Sequence, residues 1–333
     1  MAPEPLGWGV VGTGNISTTV VEQLAAVTGE RPVAVSSRTA EKAAQFAEKH
    51  GIAASYDSVA GLLADPAVEA VYIALPHSAH LDAILQALDA GKHVLCEKPM
   101  GMSAGEIERI EQHPQAKNLT IGEGFMLRHQ PQWRWVEEAI RSGGLGRVRA
   151  VHAFSALTIP RSPPDPTRGA LPGDGSLLLD IGCYSVHQMR TIFGAEPTEV
   201  SASIEFDDAG VDNMVSATLR FPEGTGHLTI ATTLKRGRRV HILGTQGSIE
   251  MLNPVHSPAG TARVLAVLAG DDGDPKEMQF PIDQQYGLQL QEFASAVRQG
   301  RQPMVSLTNA LGNARVIDAI RTSAVNGGAW TSL

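Results

Sequence analysis

The chain has 333 residues, a formal net charge of −8 at neutral pH, and hydrophobic residues make up 43% of it. That length and apolar content predict two globular domains, each with its own core. The acidic balance argues against a nucleic-acid partner, and no apolar run reaches the roughly 18–20 residues that span a bilayer, so we expect neither nucleic acid nor membrane as a partner.

The first 125 residues alternate short β-branched runs with longer helical patterns, which is typical of a parallel sheet built from βαβ units. The expected strands cover residues 6–11, 32–37, 70–75, 93–98 and 119–124. One helix between them opens with Ser103 and Glu106 in capping-box spacing. We therefore predict a doubly wound α/β domain over residues 1–125.

A glycine-rich loop follows the first strand, in the segment VVGTGNIS. In a G-x-G-x-x-G loop between a strand and a helix, the glycines let the backbone approach a dinucleotide pyrophosphate, whose charge is met by the helix N-terminus. Ser17 replaces the third glycine and is still small enough for close packing. The pattern predicts a Rossmann dinucleotide site that includes Gly12, Thr13, Gly14, Asn15 and Ile16.

The end of the second predicted strand indicates which dinucleotide is bound. Enzymes that use NAD usually carry an acidic residue there, which binds the ribose hydroxyls. Here the segment is VSSRTAEK, and Ser37 and Arg38 offer a hydroxyl and a guanidinium that suit a 2′-phosphate. We predict NADP as the cofactor, with NAD as the alternative.

Lys98 follows the predicted strand at 93–98, in the segment HVLCEKPM. The carboxyl ends of parallel strands face the crevice where α/β folds bind ligands. A lysine in that position can share a proton with a substrate hydroxyl. Pro99 is expected to turn the chain sharply, through a cis bond.

Residues 126–333 change character, with a helix near 131–142 followed by long alternating runs that predict an α+β domain with a large, mostly antiparallel sheet. We interpret the basic run LKRGRRV at 234–240 as a solvated edge strand. A loop rich in proline and glycine, residues 160–176, is expected to cover the substrate, and it contains Arg168, a candidate ligand for a substrate hydroxyl or phosphate.

The loop leads into the segment LLLDIGCYSVHQMR, in which Asp180, Tyr184 and His187 are spaced by four and then three residues. On a helix this spacing places the three side chains on one face. We expect them to point into one pocket.

Two cysteines, Cys96 and Cys183, lie far apart in apolar contexts. They predict buried thiols and a reducing, cytoplasmic location, and no signal peptide fits ahead of the first strand. The histidines show no metal-ligand spacing, so no metal is expected.

The glycine loop, ALPHSAH, AGKHVLCEKPM and DIGCY occur in one order along the chain. Together they resemble the glucose–fructose oxidoreductase, inositol dehydrogenase and rhizopine-catabolism family of NAD(P)-dependent sugar oxidoreductases. The resemblance implies a Rossmann domain, a second domain over 126–333 whose open sheet forms a homodimer or homotetramer, and a carbohydrate-like substrate. It also implies a catalytic Lys98 and places these further residues near the cofactor: Leu75, Pro76, His77, His80, Glu97 and Arg128.

Many members of that family carry a histidine four residues after the aspartate, where this chain has Tyr184. The tyrosine resembles the branch with glucose–fructose oxidoreductase, NADP-dependent pentose dehydrogenases and dimeric dihydrodiol dehydrogenases. We expect hydride transfer between nicotinamide C4 and a hydroxyl or carbonyl carbon of a sugar, sugar derivative or polyol. Tyr184 would move the proton, Lys98 would polarise the oxygen and Asp180 would orient the substrate or the lysine, with His187 as the rival of Tyr184.

Two other functions stay open at this point. Some relatives of this fold cleave glycosides by transient oxidation with a retained NAD. Others are regulators that sense a cofactor without catalysis, although a regulator has no need of both Lys98 and Tyr184.

Overall fold

The computed structural model describes residues 5–29, 31–157, 176–255, 260–281 and 284–333. The predicted substrate-covering loop, including Arg168, lies outside the described residues up to position 175. The chain forms two compact units: Met1–Met126 with Gln284–Leu311, and Leu127–Asp283 with Gly312–Leu333.

The first unit contains a six-stranded parallel sheet with the strand order β3-β2-β1-β4-β5-β6. Its strands are β1 (Trp8–Val11), β2 (Ala34–Ser36), β3 (Ala54–Tyr56), β4 (Ala70–Ile73), β5 (His93–Glu97) and β6 (Ile121–Gly124). The strand order reverses beside β1, and a ligand crevice forms at such a reversal in an open α/β sheet. The predicted doubly wound fold is confirmed.

Five helices connect these strands: α1 (Asn15–Thr28), α2 (Ala40–His50), α3 (Val59–Leu63), α4 (His80–Asp89) and α5 (Ala104–Glu111). The predicted cap of α5 is present, because the Ser103 hydroxyl accepts a hydrogen bond from the Glu106 backbone N–H. The Glu106 carboxylate accepts from Met102 N–H. Valines of the sheet pack against α1 and α2 in a buried cluster of Val10, Val21, Val35, Phe46, Ala47 and Ile52.

The second unit begins with α6 (Pro131–Arg141), β7 (Val148–Ala156), a π-helical turn (Leu178–Gly182) and α7 (Cys183–Phe193). The following strands are β8 (Glu199–Phe206), β9 (Asp212–Arg220), β10 (Thr225–Ala231), β11 (Gly237–Gly244), β12 (Ser248–Leu252), β13 (Thr261–Val267) and β14 (Lys276–Pro281). With β15 (Thr331–Ser332) they form a nine-stranded sheet in the order β14-β13-β12-β11-β7-β10-β9-β8-β15. Among the described strands β7 and β10 are the parallel pair, so the predicted mostly antiparallel sheet is confirmed.

The interpretation of residues 234–240 as an edge strand is wrong. β11 pairs with β7 on one side and with β12 on the other, so it lies inside the sheet. Its arginines alternate between the two faces, as side chains on a strand must. Arg239 is exposed on one face, whereas Arg238 is half-buried on the other.

Helix α8 (Gln285–Arg298) belongs to the first unit, whereas the sequence placed residues 126–333 together in the second domain. The reason is a long-range contact with α1, in which the Gln23 carboxamide oxygen accepts hydrogen bonds from Tyr286 and Gly287 N–H. A Cβ on Gly287 would lie 2.5 Å from the Gln23 carbonyl oxygen, so this close approach requires glycine. Helix α9 (Leu307–Val325) then runs across the division at 311/312.

Cys96 and Cys183 are both free and buried, as predicted. Among the described residues, no helix combines the length and the hydropathy that a membrane crossing requires.

Candidate active site

The glycine loop joins β1 to α1 at the carboxyl edge of the parallel sheet. Gly12 has a φ of 108°, and a Cβ there would lie 2.5 Å from the Ala74 carbonyl oxygen. Its N–H donates to Ser36 O at 2.9 Å, which fixes the loop against β2. The fold itself therefore requires glycine at position 12.

At Gly14, by contrast, packing within the protein does not require glycine, because a Cβ there would contact nothing within 4 Å. It is the N-cap of α1, and no side chain caps the helix. Gly14, Asn15 and Ile16 are exposed, whereas Ser17 is buried beneath them. Open N–H groups with free space above them fit a pyrophosphate at the start of α1.

The end of β2 lies beside this loop, and the Ser37 hydroxyl is 3.1 Å from the Thr13 hydroxyl. Arg38, the next residue, is exposed, and the segment 36–38 contains no carboxylate. The structure thus brings the Thr13 and Ser37 hydroxyls together, and Arg38 follows Ser37 in the chain. These groups fit a ribose that carries a 2′-phosphate.

The loop after β4 carries Leu75 and Pro76, followed by a 3-10 turn (His77–Ala79) and α4. His80 is fully buried, with Nδ1 2.9 Å from Pro99 O and Nε2 2.9 Å from Leu75 O. Because both oxygens can only accept, both ring nitrogens must carry hydrogen for the two bonds to form together. A direct contact of the His80 ring with a cofactor does not fit this burial, and the ring instead ties two loops together. The His77 ring lies 5.8 Å from it, nearer the surface.

Glu97 and Lys98 are mostly buried at the end of β5, and the Lys98–Pro99 peptide is cis, as predicted. The Tyr72 hydroxyl donates to the Glu97 carboxylate. Burial and the nearby Glu97 charge raise the pKa of Tyr72 well above its usual value, so Tyr72 remains a donor. On the other side of Lys98, Met100 N–H donates to the Glu123 carboxylate at 2.8 Å. Hydrogen bonds therefore fix the Glu97 side chain before Lys98 and the Met100 backbone after it.

In the second unit, Asp212 caps the π-helical turn that carries Asp180. Its carboxylate accepts from Leu177 N–H at 2.8 Å, from Leu178 N–H at 2.7 Å and from the Ser176 hydroxyl at 3.0 Å. A Cβ on Gly182 would lie 2.9 Å from the Ile230 side chain, so the turn packs closely on the sheet.

Three residues were predicted on one face of this helix, and the structure separates them by burial. Asp180 is half-buried, Tyr184 is 7% exposed and His187 is fully buried. A ligand therefore has more access to Asp180 and Tyr184 than to His187. The π-helical turn also changes the spacing between Asp180 and the residues of α7. The prediction assumed a regular α-helix throughout and did not include this change.

Arg128 was expected near the cofactor, and the structure gives its guanidinium two protein partners. Nε donates to Glu137 at 2.9 Å, and Nη1 donates to the Thr191 hydroxyl at 3.1 Å. All three residues belong to the second unit. These bonds favour a structural role for Arg128.

Comparison with known proteins agrees with this architecture. Residues 6–125 match an oxidoreductase family with an NAD-binding Rossmann fold, and residues 133–250 match the GFO/IDH/MocA C-terminal domain. The chain belongs to the GFO/IDH/MocA oxidoreductase family. The predicted family is thus confirmed, while its tyrosine-type branch stays a prediction.

Three proteins illustrate the similarity of this GFO/IDH/MocA chain to known enzymes. A trans-1,2-dihydrobenzene-1,2-diol dehydrogenase of Homo sapiens is 33% identical over 257 residues, 76% of each chain. A D-xylose 1-dehydrogenase (NADP⁺) of Haloferax volcanii is 31% identical over 97% of this chain and 98% of its own. The structure of an aldose-aldose oxidoreductase from Caulobacter crescentus has a TM-score of 0.89 and 28% identity, and the match covers 99% of this chain and 100% of that one.

The sequence of this family member did not point to three polar residues that act on predicted site residues or their supports within their own unit: Tyr72, Asp212 and Arg238. Arg238 lies within electrostatic range of Tyr184 and Asp180, and burial lowers the pKa of its guanidinium while those two residues oppose the shift. Tyr72 and Asp212 act on residues distant in sequence, which local patterns do not reveal. Side chains on β11 alternate between the two faces of the sheet, and Arg238 lies on the same face as the buried Val240 and Ile242. This pattern in the sequence could have identified Arg238.

Proposed function

We propose that the protein is an NADP-dependent oxidoreductase that transfers a hydride between nicotinamide C4 and a hydroxyl or carbonyl carbon of a sugar, sugar derivative or polyol. The observation that carries the proposal is the position of Lys98. It follows β5 of the parallel sheet whose β1 leads into the glycine loop, so a lysine and a dinucleotide site share one edge of the sheet. The named activities of the xylose dehydrogenase and the aldose oxidoreductase support a carbohydrate-like substrate.

The roles of the side chains follow from their chemistry. When bound, the nicotinamide cofactor would supply or accept the hydride. Lys98 donates a hydrogen bond to the reacting oxygen and stabilises negative charge on it, and Tyr184 takes the hydroxyl proton during oxidation and returns it during reduction. Asp180, half-buried one turn before Tyr184, orients the substrate through charge-assisted hydrogen bonds.

NADP is the proposed cofactor because Ser37 and Arg38 stand where an NAD enzyme carries an acid. Equilibrium titration should give a lower Kd for NADPH than for NADH. Arg38→Ala should weaken NADPH binding by about tenfold and leave NADH binding unchanged, since the lost bond is charge-assisted. Lys42→Ala, which removes an exposed cation from the first turn of α2, is the matched control. NADH binding as tight as or tighter than NADPH binding would contradict this cofactor choice.

The activity itself is tested by the loss of NADPH absorbance on a panel of keto-sugars. Lys98→Met should abolish turnover while NADPH still binds. Lys117→Met, an exposed lysine elsewhere in the first unit, should change neither quantity. If the wild-type protein binds NADPH but turns over no free sugar, nucleotide sugar or aromatic diol, a cofactor-sensing regulator becomes the better interpretation.

A further inference from the structure

Arg238 lies on the covered face of the nine-stranded sheet. Along β11, Val240 and Ile242 are fully buried and share its face, because side chains alternate along a strand. Arg239 lies on the opposite face and pairs with Glu250. The two adjacent arginines therefore lie in different environments. Among the residues that the structure describes, Arg239 has a carboxylate partner and Arg238 has none.

Strand register places Arg238 in a defined row. It pairs with Ser155 on β7, and Ser155 pairs with Ile230 on β10. The π-helical turn packs onto Ile230 through Gly182, so the row begins beneath the turn and ends at Arg238, two strands away. Asp180 lies on that turn, and Tyr184 lies in the first turn of α7.

The Arg238 guanidinium makes no ion pair or side-chain hydrogen bond with the residues that the structure describes, and its Nε atom is buried. Asp180 and Tyr184 act on it electrostatically, while Arg236 adds a second positive charge nearby. Arg238 is half-buried with a buried Nε atom, and the planar guanidinium matches the geometry of a carboxylate or phosphate. This side chain therefore fits an oxyanion ligand.

We propose that Arg238 binds an oxyanion of the substrate, a carboxylate or a phosphate ester carried by the sugar, while the reacting carbon lies toward Tyr184 and Asp180. The inference rests on the proposed function of this site. It narrows the substrate from sugars in general to acidic sugars. The protein has a formal net charge of −8, and Arg236 and Arg238 supply two positive charges in this region that favour an anionic substrate.

Calorimetric titration with NADP⁺ present tests the proposal through binding. The probes are D-galacturonate, D-galactose 6-phosphate and neutral D-galactose. At least one acidic probe should bind about ten- to hundredfold more tightly than D-galactose, and Arg238→Gln should remove that difference. Arg239→Gln, which changes the adjacent arginine on the opposite face, should preserve it. Which acidic probe binds more tightly identifies the oxyanion as a carboxylate or a phosphate.

A second variant keeps the test decisive if Arg238→Gln does not fold. Arg238→Lys retains the charge but not the fork, so it should weaken binding of the acidic probe by about tenfold and leave D-galactose unaffected. Equal binding of acidic and neutral probes, no binding of either acidic probe, or an equal loss for all probes in the variants would overturn the assignment. Arg238-dependent binding without turnover of any probe would instead contradict the proposed oxidoreductase activity and leave the oxyanion site standing.

Discussion

At the scale of single residues, the choice between Tyr184 and His187 decides how the proton moves. Tyr184 retains some exposure, whereas His187 has none. Tyr184→Phe should therefore lower kcat by about a hundredfold or more, because general acid–base catalysis contributes that much, with NADPH affinity unchanged. His187→Asn should keep kcat within about threefold, since the ring lies in the core. Steady-state kinetics of both variants on a reducible sugar distinguish the two assignments. A large loss of kcat in His187→Asn with a small loss in Tyr184→Phe would assign the proton transfer to His187.

His80 is a second residue whose role follows from its contacts. Its ring joins the carbonyls of Leu75 and Pro99, and Pro99 is next to Lys98. Glutamine has one donor nitrogen where the ring uses two nitrogens on opposite sides, so it cannot reproduce the same bridge. His80→Gln should therefore lower kcat by about tenfold while NADPH affinity stays the same, because the Lys98 backbone loses a support. Stopped-flow and equilibrium titration measure the two quantities. His113→Gln, at a ring that pairs with Asp89, is the control, and loss of NADPH binding in His80→Gln would point to direct cofactor contact instead.

At the scale of elements, the two loop glycines predict different outcomes. Gly14→Ala places a methyl group in open space at the start of α1, so thermal stability should hold while NADPH affinity falls by about tenfold or more. Gly12→Ala should lose stability as well, because its Cβ would collide with the Ala74 carbonyl. Gly105→Ala, near the start of α5 with space around it, is the control for both. Unchanged NADPH affinity in Gly14→Ala would contradict a pyrophosphate site at this helix.

The same elements show what a sequence can reveal. The strand, glycine loop and helix around Gly12 are contiguous, so their local pattern suffices to predict them. Strand β3 was missed because it has three residues, none of them buried, and therefore no hydrophobic pattern. The position of β11 inside the sheet, and with it the environment of Arg238, depends on pairing with β7, some ninety residues earlier in the chain. Likewise α8 joins the first unit through Gln23, a contact that only the folded chain displays.

At the scale of the whole molecule, the lowered pKa of His129 predicts how the stability of the protein depends on pH. It is buried, and desolvation, with the charges of Arg128 and Arg134, lowers its pKa from 6.5 to about 3. Below about pH 6.5 the unfolded chain binds a proton at this position and the folded chain does not, so acidification favours unfolding. Between about pH 7 and about pH 5.5, this histidine should reduce the free energy of unfolding by about 1.3 kcal/mol. Urea unfolding at both pH values should therefore show that the free energy of unfolding decreases less in His129→Gln than in the wild type. A His129→Gln variant whose free energy of unfolding falls as much as that of the wild type would show that His129 is protonated in the folded protein.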